Sequence, residues 1–399
     1  MREVAIVGGG PAGAMCGARL AEAGFSVTIF DDRMAWEKPC GGGLTYKAIE
    51  RYPFLLDSPH PKTIARQAEL IASDGTRAEI ELKKPVVLYS RKVLNGLLLE
   101  RARRAGCKTV CARVTRAHIC DSGARFHVNG DSHSADFLVV AAGARNSLLP
   151  ETAPLAPQDL EMTVGYFLPA GGNGDSANGD LIKVQFLENL TGYLWSFPRP
   201  GHFSVGICAP LAQQSSRSLL QRVQDFLRRE FIADAKDGHA SNEATVAPAT
   251  IFSHVLPAPR AETLRQRRIV GRAWALVGDA AALVDPLTGE GLYYALRSGD
   301  LLAQALIHEN PEDYPALLRQ EFQSELETAG RVARRFYRGT FLGGQFHLRM
   351  VQLLRRSAVL REIAGNLFAG SQDYSSLKKR LRSRAGTVAL QLLASLWQR

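Results

Sequence analysis

The segment Gly8-Gly9-Gly10-Pro11-Ala12-Gly13 constrains this chain more than any other. It follows Glu3 to Val7, a short apolar run that reads as a buried parallel strand. An Ala-rich helical pattern then extends to about Ala23, with Gly24 as its stop, and Ser26 to Phe30 reads as a second strand ending in Asp31. Gly8 permits a tight turn, Gly10 lets backbone approach a pyrophosphate, and Gly13 lets the helix pack closely on the strand. The helix N-terminus offers phosphates its free N–H groups and positive dipole end. Asp31 lies 18 residues beyond Gly13, where a carboxylate accepts hydrogen bonds from a ribose 2′-hydroxyl. This order predicts a dinucleotide site, and an unphosphorylated ribose fits FAD or NAD better than NADP.

Later segments choose FAD. From Trp274 to Leu296 an apolar strand ends at Gly278-Asp279, a turn containing Pro286, Gly289 and Gly291 follows, and a helical pattern opens at Leu292. This resembles the second FAD signature of the para-hydroxybenzoate-hydroxylase-like flavoproteins. The resemblance implies that Asp279 bonds the ribityl chain and that the turn sets backbone N–H groups against the flavin's pyrimidine edge. That edge becomes anionic on reduction, which a helix N-terminus favours. A helix beginning at Arg91 resembles the segment whose arginine contacts the cofactor, and Val114 on a following strand would touch the adenine. Phe137 to Ala142 leads into AAGARNS, similar to the family's ADGxxS. Gly143 and Ser147 keep that turn, but Ala142 replaces an Asp associated with FAD and nicotinamide binding, which puts direct reduction by NAD(P)H in doubt. Ala12 and Arg33 complete the implied nucleotide-binding set.

Two more motifs narrow the class. The loop EKPCGGGLTYKAI carries Cys40, Gly41, Gly42 and Gly43, where backbone can pass close to a planar ligand. The run YLWSFP puts Tyr193, Trp195 and Phe197 on one face of a strand. Together with DPLTGEGLYYALRSG and GSQDYSSLKKRL, they resemble the geranylgeranyl reductase family over most of the chain. The resemblance implies reduction of isolated carbon–carbon double bonds in a polyprenyl substrate by FADH2, with Cys40, Gly41 and Gly42 near the flavin. Tyr193 and Trp195 would line an apolar tunnel, or serve simply as core. Cys40 is the candidate proton donor or gating group, since an ordinary thiol keeps its proton at neutral pH; a small residue in a tight loop is its structural alternative. Tyr46 is a second candidate donor. The external electron donor is left between NAD(P)H and a reduced protein or flavin carrier. Two rival readings share the architecture: a monooxygenase or halogenase working through a C4a-hydroperoxyflavin, and a non-catalytic lipid-binding flavoprotein.

The expected fold is α/β. It has a Rossmann-like FAD-binding domain (residues 1–70, 85–150 and 265–310), an inserted antiparallel-sheet substrate domain (71–84 and 151–264) and a helical C-terminal region (311–399). The run Ala170 to Asp180 reads as a hairpin-like loop. Six cysteines without an export signal suggest reduced thiols in a cytoplasm. Cys107, Cys111 and Cys120 near His118 match no zinc spacing, so no metal is expected. From Arg331 onward 14 Lys and Arg face two acids, so the tail carries +12 of a net +10 and the remainder is −2. That imbalance points to a local acidic partner and not to nucleic acid across the whole surface. With the apolar stretch ending in Trp397, the tail suits peripheral membrane contact.

Overall fold

The computed structural model describes residues 3–145, 147–169, 179–232 and 249–394; the segment 170–178 and Trp397 fall outside them. The chain forms two compact units: Met1–Lys38, Arg91–Leu160 and Val255–Gly330 in the first, Pro39–Ser90, Glu161–His254 and Arg331–Arg399 in the second.

In the first unit, Glu3–Val7 and Phe137–Val140 are apolar on both faces and pair in parallel at the middle of a six-stranded sheet. Its order runs Val270–Gly271, Trp274–Leu276, Phe137–Val140, Glu3–Val7, Ser26–Phe30, Lys108–Val110. Strands buried on both sides need cover above and below. Pro11–Glu22 lies on Glu3–Val7 and Ser26–Phe30, and both Arg91–Arg104 and Leu292–Ile307 pack on that helix. That last packing is backbone on backbone, because a Cβ on Gly299 would stand 2.2 Å from the Ala12 carbonyl oxygen. A separate three-stranded antiparallel sheet holds Val114–Cys120, Gly123–Val128 and Asp131–Ala135.

The second unit is built on an eight-stranded sheet. From Leu160–Pro169 through His202–Pro210, Tyr193–Arg199 and Leu181–Phe186 the neighbours are antiparallel, as the alternating sequence predicts. One pairing departs from that expectation: Leu181–Phe186 runs parallel to Thr63–Ile71. Each of these strands takes its direction from its own antiparallel partner, Tyr193–Arg199 or Arg77–Leu88, and the two pairs meet along parallel edges. One face buries Val164, Leu168, Leu194, Val205 and Ile207 under Leu219, Val223 and Phe226 of the helix Ser216–Leu227. The other buries Ala68, Ile80, Leu82, Ile182 and Val184 under Val351, Leu354 and Leu360 of Phe346–Arg356 and Ala358–Phe368.

The units divide the chain differently from the sequence-based boundaries. Gly43–Leu44 and Thr63–Ile71 hydrogen-bond into the eight-stranded sheet, so 39–70 belongs with it. The start of the C-terminal region stays with the first unit, where the fully buried Tyr314 donates its hydroxyl to the Leu276 carbonyl at 3.1 Å.

His347 is 1% exposed and packs against the rings of Phe186 and Phe336, at 5.8 and 6.1 Å. Neither ring nitrogen has a hydrogen-bond partner among the described residues, and burial lowers its pKa. The folded state therefore holds the neutral imidazole, while the unfolded chain takes up a proton near its ordinary value of about 6.5. This contribution is complete above about pH 6.5 and is lost as pH falls below it. Denaturant unfolding between about pH 5 and pH 8 should show His347→Phe losing less stability on the acid side than the parent; parallel curves would show that His347 does not titrate on unfolding.

Candidate functional site

The first unit turns the glycine fingerprint into a shaped cradle. Gly8 has φ +112°, and a Cβ there would stand 2.3 Å from the Ala141 carbonyl oxygen. A Cβ on Gly13 would lie 2.0 Å from the Gly8 oxygen, so the helix Pro11–Glu22 presses directly on the turn. Gly10 differs: nothing lies within 4 Å of the position its Cβ would take. Gly10 is also the helix N-cap, with no side chain bonding the first turn and Pro11 in the first helical position. Open space next to unclaimed N–H groups fits a pyrophosphate.

Asp31 does more than its spacing implied. Its Oδ2 accepts the Gly9 N–H at 2.7 Å, and its Oδ1 accepts Arg33 and Met34 N–H groups at 2.8 and 2.7 Å. The carboxylate staples the glycine turn to the end of the second strand and keeps acceptor capacity to spare. Arg33 contributes through its backbone, while its guanidinium sits 4.5 Å over the Trp36 ring. Arg91 is 3% exposed, with a guanidinium nitrogen 3.3 Å from Asn95 Oδ1. Its backbone N–H donates to Glu37 Oε1 at 2.7 Å, which makes Glu37 the cap of the helix Arg91–Arg104. Nothing local in the sequence marked that pairing across 54 positions. Val114 is buried at the start of its strand, and Gly143 has φ +85° with open space around it.

The second signature lies against the first within the same unit. A Cβ on Gly278 would be 3.1 Å from that of Ala12, and one on Gly291 would be 3.5 Å from Asp279 Oδ1. Lys38 Nζ pairs with Asp279 Oδ2 at 3.0 Å. The turn through Pro286 and Gly289 is closed by Asp285, which the sequence reading passed over. Asp285 is 2% exposed; its Oδ1 accepts the Leu287 N–H at 2.8 Å and its carbonyl accepts that of Gly289 at 2.9 Å. Gly291 then caps the 16-residue helix Leu292–Ile307, whose first residue, Leu292, is buried. Two helix N-termini and an acid–lysine pair thus converge on one side of one unit.

The second unit brings together the other two motifs. Arg199 is 4% exposed; its Nε donates to the Gly41 carbonyl at 3.0 Å, and the same guanidinium donates to the Cys40 carbonyl. Ser204 Oγ donates to that carbonyl as well, at 2.8 Å. A Cβ on Gly41 would meet the Phe197 ring at 3.0 Å, and one on Gly42, where φ is +79°, would meet the Tyr89 oxygen at 2.4 Å. The glycine loop is therefore pressed flat on the YLWSFP strand, with Arg199 and Ser204 as the clamp that sequence reasoning missed. Cys40 Sγ accepts the Gly42 N–H at 3.1 Å. Trp195 is 4% exposed, lies 2.5 Å from where a Gly206 Cβ would be, and stacks on Phe252 at 6.5 Å. It is the floor of the aromatic face, while Tyr193 and Phe197 are half-buried. Tyr46 is occupied elsewhere, its hydroxyl accepting from Lys84 at 3.3 Å.

Residues 1–332 match the family model described as FAD binding domain. The chain belongs to that family. FAD is its cofactor, and the protein is an FAD-dependent oxidoreductase. Relatives include a geranylgeranyl diphosphate reductase of Synechocystis sp., 25% identical over 76% of this chain and 75% of its own length. A menaquinone reductase of Mycobacterium tuberculosis is 27% identical over 83% of each chain. Among solved structures, a geranylgeranyl bacteriochlorophyll reductase-like protein from Thermoplasma acidophilum superposes with a TM-score of 0.75 at 18% identity, covering 96% of this flavoprotein and 98% of that chain. That likeness shows the fold.

The cradle separates space from stability. Gly10→Val has room in the protein itself but fills the place where a pyrophosphate would pass, so the purified variant should keep the FAD-free melting temperature and lose bound flavin. A variant retaining parental flavin absorbance would place the phosphates elsewhere.

Proposed function

We propose that this flavoprotein reduces carbon–carbon double bonds of a polyprenyl lipid or prenylated metabolite. The carrying observation is the clamp in the second unit: the Cys40–Gly43 loop and the Tyr193–Arg199 strand, which sequence places far apart, form one surface through Arg199, Ser204 and Phe197. Their joint presence supports the resemblance better than either alone, and relatives named for geranylgeranyl diphosphate and menaquinone reduction point the same way.

When bound, reduced FAD supplies a hydride to an alkene carbon. The chain's own residues have three tasks. Gly8, Gly10, Gly13, Asp31 and Arg91 hold the ADP half. Asp279 and the turn from Pro286 to Gly291 hold the ribityl and pyrimidine part, and the N-terminus of Leu292–Ile307 favours the anionic reduced ring. Tyr193, Trp195 and Phe197 offer an apolar wall to a prenyl chain and exclude water from the alkene. Electrons reach FAD from NAD(P)H or from a reduced protein or flavin carrier.

A polyprenyl substrate resides in a bilayer, and the C-terminal helices suit its surface. Tyr374–Ser383 buries no residue and exposes Lys378, Lys379, Arg380 and Arg382; Leu390 of the following helix is 69% exposed. No helix among the described residues is long and apolar enough to cross a membrane. Basic side chains over anionic headgroups with leucines beneath them make a peripheral contact at a cytoplasmic membrane face. Truncation before Lys378 should weaken sedimentation with anionic liposomes and leave flavin content unchanged; equal sedimentation would remove the tail from membrane binding.

The reaction is tested with dithionite-reduced protein under nitrogen. Geranylgeranyl diphosphate or menaquinone should reoxidise the flavin, with mass spectrometry showing H2 added to the prenyl chain. Failure of both acceptors, with oxygenated or halogenated products forming in air, would assign the chain to oxygen chemistry.

A further inference from the structure

The helices Ser324–Arg338 and Phe346–Arg356 are joined by a small antiparallel hairpin, Thr340–Phe341 against Gly344–Gln345, with Leu342 and Gly343 at its tip. A tip in water is normally polar, yet Leu342 is 68% exposed and Phe341 36%. Leu342 has φ +48° and Gly343 +71°. Positive φ at both central positions makes the tight turn that Asn-Gly favours, and a leucine is held there against its own backbone preference. This leucine is therefore unfavourable twice over in the folded chain, once for its exposed side chain and once for its backbone. An outlier of that kind points to a use outside the fold.

The tip stands on a fixed stem. The Gly339 N–H donates to the Arg335 carbonyl and the Phe346 N–H to the Gly339 carbonyl, both at 2.9 Å. Arg338 Nε donates to Thr191 Oγ1 at 3.3 Å and Gln345 Nε2 to Asn189 Oδ1 at 3.1 Å, which fastens the base of the hairpin to the loop before Tyr193. A column of rings leads out from the core: Phe186, 7% exposed, then Phe336 at 4.9 Å, Phe346 at 6.1 Å and Phe341 at 5.7 Å. The surroundings are basic. From Thr328 to Arg361 the chain has eight arginines and no Asp, Glu or Lys, and the anchoring loop sets one acid, Glu188, against them. Arg334, Arg335 and Arg338 are exposed, and none of the three forms an ion pair among the described residues.

We propose that this hairpin is a wedge that enters an anionic bilayer, with Leu342 and Phe341 below the headgroups and Arg334, Arg335 and Arg338 among the phosphates. The inference rests on the reading of a bilayer-resident substrate and adds a contact separate from the C-terminal helices. A protein partner would need about 800 Å² of matched surface on each side, which a convex tip of two apolar residues does not offer. A bilayer makes no demand of shape. It takes the apolar side chains out of water, and its negative surface potential attracts the arginines, whose apolar stems suit the depth just beneath the headgroups. Neither attraction is strong alone, and peripheral binding generally combines two. Thr191, which holds the hairpin, is two residues before Tyr193, so insertion keeps the start of the aromatic strand close to the lipid that would supply a prenyl chain.

The test sediments the FAD-loaded full chain with vesicles of phosphatidylglycerol and phosphatidylcholine in equal parts. Leu342→Asn installs the favoured Asn-Gly turn, so it should melt no lower than the parent while binding these vesicles about tenfold less tightly. Phe341→Ser should weaken binding in the same direction. Arg334→Gln combined with Arg335→Gln should lower affinity on the order of tenfold at low salt, with the difference shrinking as salt is added. Leu342→Asn should also keep the parental kcat on geranylgeranyl diphosphate dispersed in detergent and lose rate on menaquinone embedded in the vesicles. Parental vesicle affinity in both Leu342→Asn and Phe341→Ser overturns the wedge and leaves the reductase reading intact. So does a parent that binds pure phosphatidylcholine as tightly as the anionic mixture. A parent that binds through its tip but reduces neither acceptor overturns the reductase reading and leaves the wedge standing.

Discussion

The close approach of backbone to backbone at missing Cβ atoms is the constraint on which the first unit depends. Gly13 lies on the Gly8 carbonyl, Gly299 on the Ala12 carbonyl, and Gly278 on the Ala12 methyl. These contacts draw the two helices Pro11–Glu22 and Leu292–Ile307 together. One helix terminus contributes only about 1 kcal/mol to holding an anion. A tightly held dinucleotide needs several such sources at once, and the glycine contacts assemble them. The cost is that a methyl group at Gly13 or Gly299 would have nowhere to go.

The second unit solves a different problem. A loop of three glycines has high conformational entropy when free, and it must be flattened on a sheet to form a surface. Arg199 does this by burying its guanidinium against the Cys40 and Gly41 carbonyls, with the Phe167 ring 5.6 Å away. Ser204 adds a second donor to Cys40 and also stands under the Trp195 indole, 3.4 Å from its Nε1. Loop and aromatic strand are therefore coupled through two polar side chains, and a change in either would be felt by both.

Polar groups inside each unit are spent on geometry. Asp31 staples the glycine turn, Asp285 closes the turn before Leu292, and Glu37 caps Arg91–Arg104. Each is an acceptor satisfied by backbone N–H groups, which holds loops that no hydrophobic core reaches. Glu161 stands apart from these, since burial pushes its carboxyl up to about 7. The basic C-terminal helices contrast with both, for their cations lie in solvent and add little to stability.

The first strand, its glycine turn, the helix after it and the second strand were legible in sequence because each is local: a β-branched run, three glycines at fixed spacing, an acid one strand later. The same holds for the Gly278–Gly291 segment and for the alternating strands of the larger sheet. Asp31 was legible as an acid at the right distance, yet its role as a staple was not, because its Gly9 partner is 22 positions away. Arg199, Ser204, Glu37 and Asp285 carried no signal, since their partners are carbonyls and N–H groups that every residue has. The parallel pairing of Leu181–Phe186 with Thr63–Ile71 was equally hidden, because strand direction depends on which edges meet and not on side-chain alternation. Sequence by itself determined the cofactor, through spacings that one turn of chain can satisfy. Only the tertiary structure decided that the Cys40–Gly43 loop lies on the strand of Tyr193, because that follows from a buried arginine reaching 159 positions back along the chain.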